Sequence, residues 1–441
     1  MRKILLLLLA LLLVGASLVT AQGDQYVFGD PLPTAPELAP RGDYGVGVRT
    51  LEMVDSNRID VLSATEEDPT PRYDRPLTLE VWYPAEIPRG ASEYITYQDT
   101  LGRADQDNLR PFEFTGRALR NAEPDAAAAP YPLVIVSHGY PGSRLMMSYL
   151  TENLASKGYV VVSIAHTEST YSDVSAFAST LLNRSLDQWA VLNEIDARSA
   201  GTSFLSGLVD ADNTAIVGYS MGAYGALNAI GAGYNGIAAN FGVGENIDTL
   251  VRGNARYEEL QDERIQAAVL FAPWGGHLGF AGMPDRAMWS EEALGDIEIP
   301  TFWLVGSRDD VAMYSGVERL FNWAVSSERH MLVYDNALHN VAPNPPPPEA
   351  EALGDWARFG DPVWDERRIN NVNQHFVTAF LDWKLKGDRN AAGYLDVPVE
   401  SSNEGVVALD DDGNPTEDHS YWPGFPPRTA LGLRLVTGEM E

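Results

Sequence analysis

Residues 216–225 read IVGYSMGAYG. Two β-branched residues lead into Gly218-Tyr219-Ser220-Met221-Gly222, and small residues follow. The two glycines stand two positions either side of Ser220. That is the G-x-S-x-G spacing of a turn between a buried strand and a helix, sharp enough to hold its central serine in a strained, reactive position. Larger side chains beside the serine would collide with neighbouring backbone, so the flanks are glycine. A passenger serine on an ordinary glycine-rich turn has the same pattern, and the rest of the chain must decide between them.

Outward from this stretch, short apolar runs alternate with helical segments. LVIVS (133–137), YVVVSIA (159–165), the run ending at Tyr219, IQAAVLFAP (265–273), IPTFWLVGS (299–307) and HMLVYDNA (330–337) read as buried strands. Helices are predicted over 144–157, 185–200, from Met221 onward and over 371–388. The alternation predicts an α/β fold with a mostly parallel central sheet and helices on both faces. YGVGVRTLEMVD (44–55) and LTLEVWYPA (77–85) read as early antiparallel strands. Residues 22–45 read as an extended arm, 121–132 as a loop, and PNPPPPEA (343–350) as a stiff surface loop. The predicted organisation is a signal peptide (1–21), a catalytic α/β domain (22–388) and a C-terminal extension packed on it (389–441).

In such sheets reactive groups collect beyond the carboxyl ends of the strands. A serine nucleophile needs a base, a carboxylate to orient that base, and donors for the developing oxyanion. The chain order Ser, acid, His is that of α/β-hydrolases. GSRDD ends one apolar strand and supplies Asp309, with Asp310 as the alternative acid; either could instead be a turn or helix-cap residue. His339 follows the next strand. The N–H of Met221 and one from the glycine-bearing loop SHGYPGS, at Tyr140, are the expected oxyanion donors.

Composition narrows the function classes. The formal net charge is −31, which opposes nucleic acid and anionic membrane surfaces as partners. Lysine occurs only at positions 3, 157, 384 and 386, a pattern suited to a surface that stays hydrated in salt. With no cysteine, disulfides, a thiol nucleophile and a lipid-modified cysteine are excluded. MRKILLLLLALLLVGASLVTAQG has a basic start, an apolar run from Ile4 to Val14 and small residues before Gln22. It reads as a secretory signal cut after Ala21. The run is shorter than the ~20 residues a membrane span needs, so a secreted or periplasmic protein without stable membrane insertion is expected. No histidine pair has metal-ligand spacing, and LDDDGNPTED (409–418) lacks the order of an EF-hand and reads as a solvated turn. The predicted chemistry needs neither metal nor cofactor.

In SHGYPGS, GYSMGAYGAL, FAPWGG, VGSRDDVA and NALHNVAPN the chain resembles secreted α/β-hydrolases related to platelet-activating factor acetylhydrolases and dienelactone hydrolases. It is locally similar to bacterial cutinases and polyester hydrolases. The resemblance spans roughly residues 45–385. It implies Ser220, Asp309 and His339 as a triad, Tyr140 and Met221 as oxyanion donors, and Trp274 as a wall of the acyl cleft. The function implied is cleavage of small carboxylic esters through an acyl-enzyme on Ser220, with a polyester- or phospholipid-directed esterase as the alternative and a non-catalytic binding protein on the same scaffold as a remoter one. Dienelactone hydrolases use cysteine, which this chain lacks. Segments 166–184, 231–264 and 277–292 and the tail exceed the cutinase pattern and are expected to cover the cleft.

Overall fold

The computed structural model describes residues 26–174 and 177–440; the predicted signal peptide lies outside them. The strands are β1 (Gly45–Ile59), β2 (Arg72–Glu86), β3 (Ile95–Leu101), β4 (Arg110–Gly116), β5 (Leu119–Arg120), β6 (Glu123–Pro124), β7 (Tyr131–Ser137), β8 (Val160–Ala165), β9 (Val209–Tyr219), β10 (Ile265–Phe271), β11 (Thr301–Gly306), β12 (Arg329–Tyr334) and β13 (Leu433–Gly438). Among the described residues one 11-stranded sheet runs β13-β12-β11-β10-β9-β7-β8-β2-β1-β5, with β6 beside β2. The stretch from β12 to β8 is parallel, β13, β2 and β1 pair antiparallel with β12, β8 and β2, and β5 joins β1 in parallel. β3 and β4 form a separate hairpin.

The parallel strands are apolar throughout because both faces are covered. Successive residues supply opposite cores. Leu133, Ile135, Ile216 and Leu270 face one core with helices α2 (Phe177–Ala200) and α3 (Met221–Ala229). Val134, Val136, Val217 and Val269 face the other, with α1 (Ser148–Ser156) and the helix Glu366–Lys386. That last helix is set by its ends. Asp365 accepts from the N–H groups of Arg367 and Arg368, and Gly387 closes it at φ 69°. The helix therefore begins five residues before the predicted start at 371.

Two further boundaries depart from expectation. The polar stretch 166–184 contributes the first two turns of α2, which starts at Phe177 rather than 185. Its polar residues Asn183 and Arg184 are buried and paired, so apolar periodicity does not reveal them. Helix α1 spans 148–156 rather than 144–157. The N-terminal arm lies along the helix Glu366–Lys386: Leu32 N–H donates to Asn371 at 2.8 Å and Leu38 N–H to His375 Nδ1 at 3.1 Å.

The C-terminal extension adds an unforeseen strand. β13 pairs with β12 from Arg329↔Gly438 to Tyr334↔Leu433 and closes the edge that β12 would otherwise present. Leu433 is fully buried, and Trp422 and Phe425 pack in the same core as Phe376. The acidic stretch 409–418 is an exposed turn, with Asp410 accepting from the N–H groups of Asp412 and Asn414. If β13 is part of the core, Leu433→Ala should cost roughly 2–4 kcal/mol in denaturant unfolding. A variant within 0.5 kcal/mol of wild type, on the order of an ordinary surface change, would mean the extension only rests on the domain.

Candidate active site

β9 delivers Ser220 at φ 52°, ψ −111°, directly before α3. A Cβ on Gly222 would stand 1.9 Å from the Ser137 carbonyl oxygen, and one on Gly218 2.5 Å from Ala223 N. Neither position admits a side chain. Ser220 N–H donates to Phe271 O at 2.8 Å, and Ser220 O accepts from Tyr224 N–H at 2.9 Å and Trp274 N–H at 3.3 Å. Because a trans peptide sets its C=O and N–H on opposite sides, binding the Ser220 carbonyl toward α3 turns the Met221 N–H away from the helix.

Asp309 follows β11 and His339 follows β12. Asp309 Oδ2 lies 2.8 Å from His339 Nδ1, while Oδ1 accepts from the N–H groups of Val311 (2.9 Å) and Ala312 (2.8 Å). Asp310, the alternative acid, is exposed. Burial pushes the Asp309 carboxyl up, but His339 and these hydrogen bonds outweigh it and hold the group below its ordinary value. The two loops are tied together by Arg308 N–H to Ala337 O at 2.9 Å. Gly306 allows that approach, since a Cβ there would meet Leu338 O at 2.1 Å. The imidazole lies against the ring of Tyr219, the residue before the serine, with centroids 5.2 Å apart. Among the described residues no hydrogen bond joins Ser220 Oγ to the ring. Such bonds are often long without substrate and tighten when it binds.

The loop after β7 runs over the serine. A Cβ on Gly139 would stand 3.2 Å from the Tyr219 ring and 3.5 Å from Ser220 Cβ. Gly142 abuts the His138 ring instead, so its small size serves packing within the loop. Tyr140, Phe177, Trp274, Phe280 and Phe241 form a row of ring contacts, with neighbouring centroids 5.4–5.6 Å apart. Trp274 is 8% exposed and Phe280 62%. Phe177, Phe241 and Phe280 come from the three inserted segments, so these line a ledge beside the serine. Sequence reading missed all three, because single aromatics in polar segments carry no pattern. Trp289 is 1% exposed and packs on Tyr224 and Tyr234 in the core.

A carboxylate whose folded titration point is depressed stabilises the fold fully above its unfolded value of about 4 and loses that contribution as pH falls through the lower folded value. Urea melts of wild type and Asp309→Asn should therefore differ at neutral pH by an amount that holds down to about pH 5 and shrinks below about pH 4. A difference unchanged to about pH 2 would contradict a paired, ionised Asp309.

A family model described as PET hydrolase-like matches residues 120–239, the segment that holds Tyr140, Ser220 and Met221. No curated protein matches the chain. Among solved structures, a ferulic acid esterase from Streptomyces cinnamoneus superposes with a TM-score of 0.53 at 20% identity, covering 80% of this chain and 94% of that one. The chain has the α/β-hydrolase fold, and the match over 120–239 supports an ester hydrolase.

Proposed function

We propose that the chain is an exported serine esterase that cleaves carboxylic esters through an acyl-enzyme on Ser220. One observation carries this reading: a serine at positive φ between β9 and α3, whose neighbour Tyr219 stacks on a histidine with Nδ1 committed to a buried carboxylate. With Nδ1 so engaged, Nε2 of His339 takes the Ser220 proton as Oγ attacks the ester carbonyl carbon. The N–H groups of Tyr140 and Met221 receive the oxyanion. Collapse breaks the ester C–O bond, and His339 returns the proton to the leaving alcohol. Water then attacks the acyl carbon, with His339 again the base; the acyl C–Oγ bond breaks, His339 returns the proton to Ser220 Oγ, and the acid departs. Asp309 stays ionised throughout and stabilises the imidazolium. Export is inferred from the basic, apolar and small-residue order of residues 1–21.

The aromatic ledge suits an apolar acyl group of short or medium length, or a flat aromatic one. A second reading is a polyester-directed esterase. It is favoured by the run of the ledge from Tyr140 out to the exposed Phe280, an open edge on which a long chain could lie, and by the PET hydrolase-like match.

Hydrolysis of a p-nitrophenyl ester series tests the mechanism. Ser220→Ala should lower kcat by at least about 10⁴-fold and Asp309→Asn by about 10⁴-fold, with Asp310→Asn within about twofold of wild type. Comparable loss in Asp310→Asn, or none in Ser220→Ala, would overturn the assignment. Phe280→Ala should raise KM for long or aromatic acyl esters by roughly 3–10-fold at constant kcat, leaving acetyl esters unchanged. An equal change for every ester would remove the ledge from substrate binding.

A further inference from the structure

Arg184, on α2, is a buried cation with no carboxylate within 4 Å among the described residues. It is 1% exposed, and such burial without an ionic partner is costly. Its guanidinium is spent on the loop beside Ser220. Nη1 donates to His138 O, and Nη2 donates to Gly139 O at 2.9 Å and to Ser169 Oγ at 2.5 Å. Gly139 O has a second donor. His138 Nε2 accepts from His166 N–H at 3.3 Å, so the ring hydrogen is on Nδ1, which donates to Gly139 O at 2.7 Å.

The Gly139 carbonyl and the Tyr140 N–H belong to one planar peptide and point in opposite directions. We infer that Arg184 is a positioning residue for ester hydrolysis: by gripping the His138 and Gly139 carbonyls it keeps the Tyr140 N–H turned toward the oxyanion. This rests on the reading of Tyr140 as an oxyanion donor.

The surroundings hold Arg184 in turn. Gly225, the last residue of IVGYSMGAYG, lets α3 abut α2, since a Cβ there would stand 2.6 Å from Arg184 Cβ. One turn further along α2, Gln188 Nε2 donates to Gly222 O at 3.0 Å, so one helix grips both the loop and the elbow. Below the loop, Ser137 Oγ lies 2.8 Å from His166 Nε2, and His166 Nδ1 lies 2.8 Å from Asp187 Oδ2. This copies the atom order of a triad, but Ser137 and Asp187 are fully buried and His166 is 1% exposed, so no substrate reaches it. It ties the end of β7 to Asp187, which Arg75 and Arg58 neutralise at 2.8 and 3.1 Å. Burial, opposed by Asp187, lowers the Arg184 pKa to about 9, so the cation persists at neutral pH.

Arg184→Met and Arg184→Lys, each normalised to phosphonate-titrated active sites, test the assignment on p-nitrophenyl acetate. Losing an oxyanion donor outright costs about 10²–10³ in kcat, so misaligning one should lower kcat by roughly 10–100-fold in Arg184→Met. KM should stay within about twofold. Affinity for a boronic acid that adds to the serine should fall in parallel with kcat. Lysine cannot span two carbonyls as the guanidinium does and should restore less than about tenfold. It also decides the matter if the methionine variant does not fold. Wild-type kcat and boronate affinity in the folded variants, or a rise in KM alone, would overturn the positioning role. Ser220→Ala run alongside separates the two claims. If that variant still turns over, the reading of Ser220 falls; if it is inert while both Arg184 variants match wild type, only the role of Arg184 falls.

Discussion

Ser220 is held at φ 52°, a conformation that costs on the order of 1–3 kcal/mol for a residue with a side chain. The strain persists because the surroundings over-determine it. Its N–H is bound to β10, its carbonyl to α3 and the loop after β10, and no space remains for a side chain at Gly218 or Gly222. Each of these partners is a buried strand, a helix start or a loop between them. The sheet order β11-β10-β9-β7 then brings the acid loop, the Trp274 loop and the loop carrying Tyr140 to the same edge. His339 follows from the next strand outward. The candidate site is thus a consequence of one turn and of the parallel pairing that surrounds it.

The electrostatics follow the same economy. The buried ionised groups around the site are held in different ways. Asp309 has its imidazole and two backbone donors. Asp187 has two arginines. Arg184 has only neutral acceptors, which makes it the costliest of the three to bury and ties its presence to the loop carbonyls it holds.

The buried parallel strands and the elbow were legible in the sequence because they depend on local pattern: continuous apolar runs, fixed glycine spacing, and an acid and a histidine after successive strands. What escaped reading depends on non-local pairing. β13 is short, buried only at Leu433 and Leu435, and follows a stretch rich in Pro and Gly, so nothing nearby announces that it completes the sheet. The first turns of α2 resemble a loop because their polar residues are satisfied by distant partners such as Arg58 and the 138–139 carbonyls. The β3–β4 hairpin was missed for a related reason. Its strands interleave Phe112, Phe114 and Tyr97 with polar residues across a gap too long to signal a tight turn.

In the proposed reaction an acyl group passes through Ser220. Rapid-quench mass spectrometry during turnover of a p-nitrophenyl ester addresses it directly. The expected result is a transient mass increase equal to the acyl group, located on the peptide that contains Ser220 and absent from Ser220→Ala. Steady turnover with no acylated protein at any quench time, or an acyl group on a different residue, would contradict it.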